Sequence, residues 1–203
     1  MKRQHVFSLF LVTFLILAGA VIAGSGRHDD ATPVAPPIGA IIEDFTLPGT
    51  DGAEHSLKSL AGKNGAVLIF ISVQCPVSNG YNARMEKLAT EYKARGIAVI
   101  GINANNTESA EAVKQHAADK GLTFPILKDN GNKIADRLGA VRTPEAYLLD
   151  SSNRLIFHGP IDNSQNEAKV ESNYLRDAMD AVLAGKPVPK TTALAFGCSI
   201  KRA

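Results

Sequence analysis

The 203-residue chain has no basic block and no Lys/Arg stripe interleaved with aromatic residues, so nucleic acid is a poor match for it as a partner. It has no internal repeat, and one core suffices for its length. Its five histidines, His5, His28, His55, His116 and His158, are scattered without ligand spacing, so no dedicated metal site is indicated. Cysteine is scarcer still. Only Cys75 and Cys198 occur, and neither directly follows the apolar N-terminal run, so a lipoprotein anchor is not expected. The balance of charges is close to even, at +2, and 45% of residues are hydrophobic, as in a soluble globular protein.

Lys2 and Arg3 precede an apolar stretch over residues 6–23 that ends in two small-residue patterns, Ala18-Gly19-Ala20 and Val21-Ile22-Ala23. This predicts a signal peptide over residues 1–23 and export. The rival is an uncleaved membrane anchor through residues 6–23, because the run approaches the ~18 residues a spanning helix needs. Residues 24–37, rich in Gly, Pro and Asp, read as a flexible spacer. A domain over residues 38–184 and a tail over residues 185–203 complete the expected organisation. An exported protein meets an oxidising compartment, where the two cysteines can pair with each other or stay free.

Within the domain, Phe45-Thr46-Leu47 and the turn Gly49-Thr50-Asp51-Gly52 predict a leading hairpin, followed by a helical turn at Leu57 to Leu60. Residues 66–71 and 97–102 are continuous apolar runs, the pattern of strands buried on both faces. Between them Tyr81, Met85, Leu88 and Tyr92 share one helical face, with Gly96 as the stop. A helix is expected over residues 107–120, with Glu108 and Glu111 at its positive end. A short edge-like strand at 124–127, a small helix at 133–138, a hairpin of 146–149 with 155–157, and a last amphipathic helix ending at Gly185 follow. The order predicts an α/β fold with a mixed central β-sheet and helices on both faces. The tail, with two prolines and little apolar periodicity, reads as mobile.

Cys75-Pro76-Val77-Ser78 lies where a buried strand hands over to an amphipathic helix. Unpaired backbone N–H groups and the helix dipole favour a thiolate there, and such thiols have pKa values lowered from ~8.5 to roughly 3.5–7.5. The plain alternative is a buried inert cysteine.

The stretch Val67 to Ser78 resembles the active-site segment of thioredoxin-like thiol–disulfide oxidoreductases of the bacterial periplasmic type, with Cys-Pro-x-Ser in place of Cys-x-x-Cys. The segment Arg142 to Asp150 is similar to the cis-proline loop and following strand of that family. Together with Gln74 to Asn82 and the late Gly197 to Lys201, the chain resembles the peroxiredoxin-like branch of the redoxin (AhpC/TSA) group over residues 38–184. The resemblance implies a thioredoxin fold in which Pro144 is cis and the backbone of Thr143 lies beside Cys75, where a partner's extended chain could add as a strand.

Two positions depart from the family pattern. Ser78 replaces the second thiol of the motif, and Leu68 stands where the peroxidatic pattern has proline, although Ser72 fits its Thr/Ser slot. The implied site therefore comprises Cys75, Cys198 and Pro144 as catalytic residues, with Thr143, Arg142, Pro76 and Ser78 contacting substrate. Arg142 could stabilise a thiolate or anion, or simply be a solvated residue before a turn. Cys198, carried on a mobile tail, would resolve an oxidised Cys75, or else form a structural staple with it.

The function implied is an exported, periplasmic or secreted thiol–disulfide oxidoreductase or peroxiredoxin-like antioxidant, acting on a protein thiol or disulfide or on peroxide. No dissociable cofactor is needed. The alternative is a non-catalytic module that binds Cu(I) or a partner and keeps Cys75–Cys198 as a structural disulfide.

Overall fold

The computed structural model describes residues 33–202. The expected signal peptide or anchor, and all of the spacer before residue 33, lie outside them. Among the described residues no helix is long and apolar enough to cross a membrane.

The first elements among the described residues are a hairpin of β1 (Thr46–Pro48) and β2 (Glu54–Ser56), closed by one helical turn, α1 (Leu57–Leu60), that Ser56 caps. The unit that carries the site follows: β3 (Gly65–Phe70), the short α2 (Pro76–Asn79), α3 (Asn82–Lys93) and β4 (Ile97–Asn103). Next come α4 (Ala110–Lys120), β5 (Ile126–Lys128) and α5 (Lys133–Leu138). The two-residue β6 (Arg142–Thr143) leads into the hairpin of β7 (Glu145–Asp150) and β8 (Leu155–Gly159), and α6 (Tyr174–Leu183) packs behind it. A second two-residue strand, β9 (Cys198–Ser199), lies near the end of the chain.

One mixed sheet organises these elements in the order β5-β4-β3-β7-β8. β3 pairs antiparallel with β7, β7 with β8 likewise, and β4 parallel with β5. Between β3 and β4, Asn64 N–H reaches Gly96 O at 2.8 Å and Ile71 N–H reaches Ile102 O at 2.9 Å. Both partners advance together along the chain, so the two strands run parallel, as a helical crossover requires.

Because side chains alternate along a strand, β3 feeds two cores. Val67, Ile69 and Ile71 pack with Met85, Leu88, Tyr92, Val113 and Met179, under α3, α4 and α6. Ala66, Leu68 and Phe70 pack on the opposite face with Leu57, Leu138, Tyr147 and Ile200, under α1 and α5. That double burial is the physical reason the run is apolar throughout.

Three expectations change. The helix after β3 is broken, since α2 is a single turn and α3 begins only at Asn82; Tyr81 still joins Met85, Leu88 and Tyr92 in the core. The helix expected from residue 107 starts at Ala110, because the Ser109 hydroxyl caps it by accepting from Ala112 N–H at 3.1 Å. Glu108 therefore lies before the helix and is buried.

The third change concerns the tail, which is docked rather than mobile. Thr191 and Ala193 hydrogen-bond to both sides of the His158 peptide, Cys198 and Ser199 pair with β6, Ile200 N–H reaches Val141 O at 3.1 Å, and Ile200 enters the core. Composition shows no periodic apolar face because the tail adds as extended pieces to exposed edges, where backbone groups make the contacts.

Candidate active site

Cys75 is the N-cap of α2, with Pro76 at the first helical position, where a missing N–H costs nothing. The residue is 2% exposed. Ser78 N–H donates to Cys75 Sγ at 3.3 Å, so the free backbone donor of the first turn points at the sulfur. Ser78, standing where the motif's second thiol would be, is buried and accepts the Ser72 N–H through its hydroxyl at 3.2 Å. It faces the core side of the turn, away from any role as a second thiol.

The missing sulfur comes from the tail. Cys75 and Cys198 form a disulfide across a sequence separation of 123, with their Cα atoms 5.8 Å apart. Cys198 reaches this position because β9 runs antiparallel to β6, with Thr143 opposite Cys198 and Arg142 opposite Ser199. The Thr143–Pro144 bond is cis, and Thr143 O lies 3.3 Å from Cys75 Sγ. The exposed guanidinium of Arg142 flanks the tail, donating to Ser199 Oγ at 3.1 Å and Gly197 O at 3.4 Å. Sequence reasoning thus named the residues that meet here: Cys75, Pro76, Ser78, Arg142, Thr143, Pro144 and Cys198.

It missed the residues that hold them. The buried Glu108 carboxylate accepts from Ser72 Oγ at 2.6 Å, Gln74 N–H at 3.0 Å and Val73 N–H at 3.1 Å, and from the side-chain amides of Asn103 and Asn105. Since the Ser72 hydroxyl gives its proton to Glu108, it is free to accept from Cys75 N–H, which it does at 3.1 Å. Burial by itself would raise the Glu108 pKa; the hydrogen bonds from Ser72, Asn103 and the two amides outweigh it and hold the carboxyl below its ordinary range. Asn105 extends the network to the tail by accepting Lys201 N–H at 2.7 Å, so one carboxylate supports the turn before Cys75 and, through Asn105, the strand after Cys198.

Glu145 plays the matching part on the other side. Its buried carboxylate accepts from Val141 and Arg142 N–H, both at 2.8 Å, and meets His158 Nε2 at 2.6 Å. Burial opposes the charge, but the bonds from His158 and the two amides win and lower its pKa. His158 also stacks on Tyr147, with ring centroids 4.4 Å apart. The one available signal for Glu108 was Ser109, a capping residue type that places its predecessor outside the helix. For Glu145 there was only its place after Pro144.

A profile described as the AhpC/TSA family matches residues 38–158. The chain belongs to the AhpC/TSA family. Among its relatives in the family, thiol-disulfide oxidoreductase ResA of Bacillus thuringiensis (strain Al Hakam) is 30% identical over 155 residues, 76% of this chain and 87% of that protein. The crystal structure of a hypothetical protein from Sinorhizobium meliloti 1021 is 33% identical, with a TM-score of 0.78 over 84% of this chain and 97% of that one. A solution structure of a thioredoxin-like protein in the oxidised form shares the fold alone, at 19% identity and a TM-score of 0.55, over 66% of this chain and 87% of that one. The fold is therefore thioredoxin-like, on an AhpC/TSA chain whose two sulfurs lie 123 positions apart in sequence. Among the described residues no group of three or more His, Cys, Asp or Glu side chains could hold a metal ion.

Proposed function

We propose that the protein is a thiol–disulfide oxidoreductase that works outside the cytoplasm through Cys75 and Cys198. The observation that carries this reading is the disulfide itself: one sulfur at a helix start under the Ser78 N–H, the other held beside it by a strand paired to Thr143. The ResA name of the relatives supports the same class of reaction. Export rests on the apolar N-terminal run and on the need for an oxidising compartment to maintain such a bond.

In the reduced protein the Cys75 thiolate attacks a sulfur of a partner disulfide; the S–S bond breaks and its electron pair leaves on the partner's other sulfur. The Cys198 thiolate then attacks the Cys75 sulfur of the mixed disulfide and expels the second partner thiolate. Two protein thiols are oxidised, one partner disulfide is reduced, and the two thiol protons end on the partner. Thr143 and Pro144 shape the surface next to Cys75, and Pro76 and Ser78 set its turn. Arg142 offers a cation to an incoming anion. The relatives' name favours a disulfide over peroxide as substrate, as does Leu68 in place of the peroxidatic proline.

The test is reduction of a small-molecule disulfide by the reduced protein and its variants. Cys75→Ser abolishes turnover, and Cys198→Ser accumulates a mixed disulfide on Cys75. Unimpaired turnover by the Cys75 variant would refute the proposal.

A further inference from the structure

Two cysteines share the bond, but solvent does not meet the two residues equally. Cys75 is 2% exposed, closed in by α2 on one side and by the Thr143 carbonyl on the other. Cys198 is half-buried, on an outer two-residue strand whose neighbours Ser199 and Lys201 are exposed. The backbone edge of Thr143, where an extended peptide would approach Cys75, is already filled by Cys198 in antiparallel register.

We infer that the oxidised protein is recharged through Cys198, the sulfur attacked by an incoming thiolate, while Cys75 is the leaving group. This rests on the redox reading above and assigns its second half-reaction. The reductant's thiolate forms a bond to Cys198 Sγ, the Cys75–Cys198 bond breaks, and its electron pair departs on Cys75 Sγ. A second thiolate of the reductant then takes the first sulfur away, giving a reductant disulfide and a Cys198 thiolate. Protons from the two reductant thiols complete the two protein thiols.

Three features of the site favour this direction. The better leaving group is the thiolate that is better stabilised, and Ser78 N–H is already aimed at Cys75 Sγ. The Arg142 guanidinium lies beside the tail at Gly197 and Ser199, on either side of Cys198, where an approaching anion passes it. The tail is also anchored on both sides of Cys198, by His158 before it and by Val141, Asn105 and Asn106 after it, so it stays in place while its sulfur is attacked. The reductant needs no strand addition at Thr143. It need only present a thiolate to the tail surface, whereas the disulfide substrate meets Cys75 in the reduced protein; the two half-reactions use different sulfurs.

The experiment mixes the oxidised, full-length protein with excess glutathione, stops it with acid at a series of short times, blocks free thiols with N-ethylmaleimide and maps both cysteine peptides without reduction. The expected early product carries glutathione on Cys198 and maleimide on Cys75, in several-fold excess over the reverse pattern. Glutathione on Cys75 with maleimide on Cys198 at the earliest times overturns the inference and leaves the redox reading standing. A disulfide that never opens in the native protein overturns both.

Discussion

Thr143 and Cys198 face each other across the two-residue antiparallel ladder that brings the tail sulfur to Cys75. The register has a demanding neighbour in Gly197, whose φ is +140° and at which a Cβ would collide with the Thr143 carbonyl oxygen. Only glycine adopts that backbone easily against so close a strand.

Gly197→Ala should therefore lift β9 from β6 while leaving the domain folded. In a glutathione redox buffer the equilibrium constant for the Cys75–Cys198 disulfide is expected to fall at least about tenfold, a change of ~30 mV for this two-electron couple. Quantifying the oxidised fraction across buffer ratios checks it. An unchanged constant would mean that the ladder does not position Cys198.

Glu108→Gln keeps the size of the buried side chain but replaces an acceptor oxygen by an N–H₂ donor among five donors. At least one of the turn's bonds is lost, and an unsatisfied buried donor costs about 1–3 kcal/mol. The expected outcome is a lower denaturant midpoint together with slower formation of the Cys75–Cys198 bond, measured after dilution of the reduced protein into oxidised glutathione. Normal bond formation with reduced stability alone would show that Glu108 supports the core but not the site.

Glu108 and Glu145 both hold folded-state pKa values below the ordinary range, which fixes the sign of one pH effect. Between those values and the ~4.3 of an unfolded glutamate, the unfolded chain binds more protons, so stability rises with pH. The stabilisation is fully present above about pH 4.3 and is lost as pH falls through the folded values. Urea titrations from pH 3 to pH 6 should show this slope in the native sequence and a shallower one in Glu145→Gln. An equal slope in both would remove Glu145 from the account.

Reduction of the disulfide should destabilise the protein without unfolding it, because Ile200 and the hydrogen bonds at Val141, Asn105 and His158 hold the tail independently of the bond. With a sequence separation of 123, the chain-entropy model puts the loss at about 4–5 kcal/mol. Hydrogen exchange of the Ile200 and Ala193 amides in the reduced, native protein checks the docking, and rapid exchange at both would mean that the tail detaches.

The strands of the sheet were legible because each long one must be buried on both faces, which forces a short apolar run in β3 and β4. Tyr81, Met85, Leu88 and Tyr92 were equally plain, since a helix that covers a sheet must repeat its apolar residues at helical spacing. Cys75 was marked by its place at the junction of those two patterns. β6 and β9 were invisible: two-residue strands have no period, and their ladder joins residues more than fifty positions apart.

By itself the sequence determined the layered α/β architecture and the place of Cys75 at the strand-to-helix turn, because both follow from local periodicity and capping, which neighbouring residues encode. That Cys75 and Cys198 pair rather than stay free, where Glu108 points, and which of the two cysteines meets solvent were decided only by tertiary structure. Each depends on groups distant in sequence, brought together when buried carboxylates and open backbone edges must find their partners.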